Sequence, residues 1–107
     1  MTATIVTDAR WDADVLRGTD VVIVALCSAA VGPCRGVAPI IDDIAVDLSG
    51  VARVLAIDVD SNPAVMQRYE VSSLPTLLVF RGGRLLARLV GGRSRDRLLT
   101  ELSAYLD

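Results

Sequence analysis

The chain has 107 residues, 52% of them apolar, and a formal net charge of −2, which is typical of one folded domain and excludes a disordered segment. Only one Trp, two Tyr and one Phe accompany this slightly acidic charge, so we expect no binding of nucleic acid. Histidine is absent and cysteine occurs twice, which removes the usual imidazole base and excludes a zinc site of four ligands.

The first predicted elements alternate between strand and helix. Residues 4–6 can form a short strand, and residues 8–18 suit a short helix with Trp11 and Val15 four positions apart on one face. Residues 21–27, VVIVALC, are continuously apolar and rich in β-branched side chains. Such a run predicts a strand that is covered on both faces.

The middle of the chain continues the alternation. An apolar stripe with helical spacing covers residues 34–48, and Pro39 should kink that helix. Residues 51–59 form a second buried strand by the same reasoning as residues 21–27. Either Ser61 or Asn62 is the expected cap of the short helix that follows.

The last third ends in a hairpin and a helix. The segment TLLVF-RGG-RLLARLV, residues 76–90, is typical of two antiparallel strands joined by a Gly-Gly turn. An amphipathic helix follows, with Ser94 as its cap. The complete order is βαβαβαββα, which predicts one α/β domain over residues 1–107 with a central mixed β-sheet and helices on both faces.

Neither membrane insertion nor secretion is expected. No apolar run reaches the ~18 residues that a membrane span needs, and the opening MTATIVTDARWDAD lacks the basic start and long apolar segment of a signal peptide. We therefore expect a cytoplasmic protein whose thiols are mostly reduced. We expect no metal site and no cofactor.

Four segments, in this order, resemble the thioredoxin family over essentially the whole chain. They are GPCRGVAPIIDDIA at 32–45, AIDVDSNP at 56–63, YEVSSLPTLLVFRGG at 69–83 and LVGGRSRDRLLTEL at 89–102. The resemblance implies the thioredoxin fold and a cis peptide bond between Leu74 and Pro75.

The resemblance also implies a groove in which an extended segment of a partner protein pairs with the backbone before the cis-proline, as an added strand. Small residues such as the paired glycines would let another backbone approach. The implied groove residues are Ala30, Val31, Gly32, Pro33, Leu74, Pro75, Val90, Gly91 and Gly92.

The chemistry of the family is incomplete in this chain. Family members attack a substrate disulfide with an exposed thiolate at the start of the second helix and then use a second thiol to resolve the mixed disulfide. Val31 occupies the position of the first thiol, and Cys34 that of the second. Cys27 stands in place of a family tryptophan. The alternatives for Cys27 are a redox pair with Cys34 or a buried small side chain. The alternatives for Cys34 are that pair, a lone thiol that forms mixed disulfides, or an inert remnant.

Three further positions depart from the family pattern. The aromatic residue before the nucleophile is Ala30 here, the buried aspartate falls on Ala25, and its lysine neighbour falls on Ala56. Removing both members of a buried charged pair is favourable once proton transfer is not required, because burying charge is costly.

Two functions follow as hypotheses. The first is a binding module that has lost ordinary dithiol-disulfide reductase activity and binds a peptide segment of a partner protein in the groove. The second is an atypical thiol-disulfide oxidoreductase that uses Cys34, either alone or paired with Cys27; if the protein is redox active, a thioredoxin reductase is an expected partner. The sequence leaves open whether the protein is an enzyme.

Overall fold

The computed structural model describes residues 3–106 as a five-stranded sheet with helices on both faces. The strands are β1 (Thr4–Ile5), β2 (Val21–Cys27), β3 (Arg53–Asp58), β4 (Thr76–Arg81) and β5 (Arg84–Val90). The helices are α1 (Gly32–Asp47), α2 (Pro63–Arg68) and α3 (Arg95–Ser103).

The strand order across the sheet is β1-β3-β2-β4-β5. β3 is parallel to both β1 and β2, whereas β4 is antiparallel to β2 and to β5. This mixed sheet confirms the α/β class that the sequence predicts. It also brings the ends of β2 and β3, the start of β4 and the end of β5 to one edge of the sheet.

β2 is continuously apolar because both of its faces are covered. Its alternate residues, beginning with Val21 and Ile23, pack in the cluster that contains α1 and α3. The intervening residues, such as Val22 and Val24, pack in a second cluster with Trp11 on the opposite face. Period-two alternation therefore turns Cys27, the last residue of β2, toward α1.

The short helix predicted over residues 8–18 consists of two irregular helical turns. The structure has a 3-10 turn at Asp8–Arg10 and a π-helical turn at Asp12–Leu16. The backbone N–H of Asp8 donates to Asn62 Oδ1 at 2.9 Å, so the start of this segment is held against α2. Trp11 and Val15 are nevertheless both buried in one cluster, as their spacing predicts.

The helix ends are stabilised in two different ways. Ser94 Oγ accepts a hydrogen bond from Arg97 N, which confirms the predicted cap of α3. Asn62 is the N-cap residue of α2, one of the two predicted, but its side chain makes no capping hydrogen bond. Instead, the carboxylate of Asp8 accepts hydrogen bonds from the amides of Ala64 and Val65 at 3.1 and 3.2 Å, and a residue distant in sequence supplies the cap.

Pro39 lies inside α1, and the helix continues on both sides of it. Because proline has no N–H, the helical hydrogen bond to the carbonyl of Arg35 is missing at this turn. None of the helices within residues 3–106 combines the length and the apolar character that crossing a bilayer would require.

Candidate functional site

Val31 stands at the N-cap of α1, at the position where a reactive thiol would gain from the helix N-terminus. Its side chain makes no capping hydrogen bond. Its backbone is held by a turn, because its N–H donates to Ser28 O and its carbonyl accepts from Cys34 N, both at 3.1 Å. The isopropyl group has no proton to lose and no lone pair to donate, so it cannot attack a disulfide.

Cys34 lies in the first turn of α1 and is 3% exposed. Its sulfur accepts a hydrogen bond from the backbone N–H of Ser28 at 3.4 Å. It is a free thiol. The only thiol carried by α1 is therefore almost fully covered, and an incoming disulfide has little access to its sulfur.

Cys27 is a half-buried free thiol at the end of β2. Burial, with a further contribution from the neighbouring Cys34, raises the pKa of Cys27 to about 12. A thiol with this pKa is almost entirely protonated near neutral pH, and only the thiolate is a nucleophile. The structure thus places Cys27 near Cys34 without making Cys27 reactive.

Ser28 and Asp60 organise the loop between β2 and α1, and sequence reasoning missed this role. Ser28 Oγ donates to Asp60 Oδ2 at 2.6 Å and accepts from Ala30 N at 3.2 Å. Arg35 adds a hydrogen bond from Nη1 to Ala29 O at 2.8 Å. The predicted topology could have indicated this contact, because Ser28 and Asp60 follow two parallel strands and the carboxyl ends of adjacent parallel strands meet at one end of a sheet.

An apolar cavity of about 380 Å³ lies beside the two thiols. Cys27 and Cys34 both line it, together with Ala56 of β3 and Ala38 of α1. The cavity is on the β3 side of β2.

The residues of the expected groove lie at the same end of the sheet, on the β4 side of β2. In the pairing register, Leu26 lies opposite Thr76, which in turn lies opposite Val90. The chain that follows Leu26, the chain that precedes Thr76 and the chain that follows Val90 therefore leave the strands at the same end of the sheet. These are the segments 30–33, 74–75 and 90–92.

The segments 74–75 and 90–92 are joined by a hydrogen bond from Gly91 N to Pro75 O at 2.9 Å. The peptide bond between Leu74 and Pro75 is cis, and Gly91 has a φ of +89°. Pro75 is buried and Leu74 is half-buried. Val90 is 52% exposed, so an apolar surface remains beside the backbone of Leu74.

Most of the remaining groove residues form the turn at the start of α1, and Gly92 follows β5. Ala30, Gly32 and Pro33 are exposed and Val31 is half-buried. Gly92 is also exposed, and a methyl group added there would meet nothing within 4 Å. The exposed residues of this turn therefore have small or apolar side chains.

The carboxylates near the site do not form a metal centre. Asp58 Oδ1 accepts from Asp60 N at 3.1 Å and Asp58 Oδ2 accepts from Ser61 Oγ at 2.9 Å. Across residues 3–106, no group of three or more His, Cys, Asp or Glu residues is placed to hold a metal ion.

Comparison with known proteins gives a consistent family. The thioredoxin family model matches residues 2–104 of this chain. A thioredoxin from Staphylococcus aureus is 38% identical over 101 residues, which cover 94% of this chain and 95% of that protein. A bifunctional thioredoxin reductase/thioredoxin from Mycobacterium leprae is 39% identical over 98 residues, which cover 92% of this chain but only 21% of that protein.

Proposed function

The chain belongs to the thioredoxin family, and we propose that it binds an extended segment of a partner protein and lacks ordinary dithiol-disulfide reductase activity. The observation that carries the proposal is the placement of Val31 at the N-cap of α1, with the single thiol of that helix buried at 3% exposure. A reductase of this family needs an accessible thiolate at that N-cap to attack its substrate.

The second thiol does not compensate for Val31. Cys27 is half-buried and has its pKa raised to about 12, so its thiolate is scarce at physiological pH. The pair Ala25 and Ala56 offers no carboxylate or ammonium group near the thiols that could accept or supply a proton.

The groove retains the features needed for main-chain recognition. Within residues 3–106, no hydrogen bond engages the backbone N–H or C=O of Leu74, so both are free to pair with an extended segment. The exposed side chain of Val90 and the absence of a side chain at Gly91 leave room for that segment beside them. Strand addition gains affinity from such backbone groups and specificity from the flanking side chains.

A charge placed in the groove tests the binding role. Val90→Arg introduces a charged side chain where the partner segment would lie, whereas Val46→Arg makes the same change at an equally exposed valine, each being 52% exposed. Val46 lies near the C-terminal end of α1, at the opposite end of that helix from the groove. Each immobilised variant would be incubated with an extract of the source cells, and the retained proteins would be quantified by mass spectrometry.

We expect a set of proteins that the wild type and Val46→Arg retain equally and Val90→Arg loses at least about tenfold, which corresponds to ~1.4 kcal/mol of binding free energy. Retention of the same proteins by all three variants at equal levels would refute the groove as the binding site.

Cys27 and Cys34 line the same cavity, and this proximity favours a second candidate function. Cys34 thiolate would attack a substrate disulfide R–S–S–R′, forming Cys34–S–S–R and releasing R′S⁻. Cys27 thiolate would then attack the sulfur of Cys34 and release RS⁻, leaving a Cys27–Cys34 disulfide. Two electrons pass from the protein thiols to the substrate, two protons are released, and a thioredoxin reductase would return the pair to its thiols.

Thiol counting separates the two candidates. The redox pair predicts a loss of two hydrogens, and of two alkylatable thiols, after exposure to a disulfide oxidant, with recovery by a thioredoxin reductase. The binding module predicts two free thiols throughout.

A cytoplasmic location, expected from the sequence, stays a prediction.

A further inference from the structure

The cavity beside the thiols is open to solvent and has no role in the proposed partner groove. It lies where β3 and the start of α1 approach each other, on the opposite side of β2 from Leu74 and Val90. Its volume is about 380 Å³, which falls in the range of about 300–1,000 Å³ that is usual for small-molecule sites.

Short side chains create this cavity. The lining includes Cys27 at the end of β2, Ala29 in the loop that follows, Cys34 and Ala38 on α1, and Ala56 on β3. Ile5 and Ile57 also line it, and the five short side chains leave the space between the helix and the strand open. The walls are therefore apolar, and water gains few hydrogen bonds inside.

The walls favour a planar aromatic group over an aliphatic one. The two sulfur atoms are polarizable and make favourable contacts with aromatic ring edges. Arg35 lines the rim, is exposed, and uses Nη1 for Ala29 O. The rest of its guanidinium group can lie over the face of a bound ring.

The rim carries one carboxylate, which is already satisfied. Both oxygens of Asp58 accept hydrogen bonds, from Asp60 N and Ser61 Oγ. A cationic ligand would have to compete with these bonds, so recognition depends on shape, apolar contact and Arg35.

We propose that this cavity binds a planar aromatic small molecule about the size of an indole ring. The site does not depend on the proposed groove, since the two surfaces lie on opposite sides of β2.

Indole itself is the probe for the test. It would be titrated into the ¹⁵N-labelled protein, with the backbone amides followed by two-dimensional NMR. We expect saturable shifts centred on the amides of Ala29, Ala38 and Ala56, with a dissociation constant below about 1 mM. Val90→Arg should bind indole as the wild type does, which separates this site from the groove.

Two substitutions should close the cavity from different walls. Cys27→Trp places an aromatic ring in the space, and Ala38→Leu narrows it from α1. Each should weaken indole binding at least about tenfold. Ala64→Leu makes the same change as Ala38→Leu at another exposed helical alanine, on α2, and should leave the affinity unchanged.

The proposal is overturned by an absence of saturable shifts in the wild type, by shifts confined to Val90 and Gly91, or by wild-type affinity in Ala38→Leu. Ala38 is an exposed helical residue, so this variant keeps the test decisive even if Cys27→Trp fails to fold.

Discussion

Ala25 and Ala56 are register partners across the parallel strands β2 and β3. Ala25 is 2% exposed and Ala56 is half-buried. In the family pattern these two positions carry an aspartate and a lysine, so both members of that pair are replaced together. Two methyl groups in contact with an apolar core need no charge compensation, and the pair is therefore consistent with a site that transfers no protons.

Ala25→Asp should lower the free energy of unfolding by about 3–5 kcal/mol near neutral pH, because it buries a carboxylate without a partner. Burial raises the pKa of the new carboxyl above its unfolded value, so the folded variant binds more protons than the unfolded chain. The variant should therefore lose less stability as the pH falls toward about 4. Urea unfolding, followed by the fluorescence of the buried Trp11, measures both effects.

Adding Ala56→Lys to Ala25→Asp should recover at least about 1 kcal/mol, since an ammonium group then faces the carboxylate. The Ala56→Lys single variant is the control. A cost of less than about 0.5 kcal/mol for Ala25→Asp, unchanged with pH, would contradict the buried apolar environment assigned to this position.

Asp8→Ala should destabilise the protein by about 1–2 kcal/mol, since the carboxylate of Asp8 caps two amides at the start of α2. Asp12→Ala is the matched control. The Asp12 side chain is 73% exposed and makes a 3.3 Å ion pair with Arg68, which is worth less than about 1 kcal/mol. Equal effects of the two substitutions in urea unfolding would rule out the cap.

Cys27 should react slowly with alkylating agents in the folded protein. With its pKa raised from 9.0 to about 12, its thiolate fraction at about pH 8 is about a thousandfold smaller than in the unfolded chain. We expect iodoacetamide to modify Cys27 at least about a hundredfold more slowly in the native protein than in concentrated guanidinium chloride. Mass spectrometry of the peptides gives both rates, and similar rates would contradict the assigned burial of Cys27.

The elements could be predicted where the signal is local. The unbroken apolar run of β2 predicts two covered faces, and Ser94 precedes an amphipathic stretch that it caps. The family resemblance implied which segments form the partner groove. The strand register places Thr76 beside Val90 at the end of the sheet where those segments begin.

Features that depend on long-range contacts could not be predicted. The cap of α2 comes from Asp8, 56 positions before Ala64, so Ser61 and Asn62 were the reasonable local candidates. The hydrogen bond between Ser28 and Asp60 joins two loops that only the parallel pairing of β2 and β3 brings together. The cavity depends on several short side chains from different elements, whose shared position is visible only after folding.

Disulfide reduction by the wild type shows whether Val31 at the start of α1 removes ordinary reductase activity. The rate of dithiothreitol-driven reduction of insulin would be compared for the wild type, Val31→Cys, Val31→Ser and the Staphylococcus aureus thioredoxin. We predict that the wild type and Val31→Ser match dithiothreitol alone, and that Val31→Cys exceeds them at least about tenfold because a thiol at the N-cap gains from the helix dipole. A wild-type rate close to that of the Staphylococcus aureus thioredoxin would contradict the account.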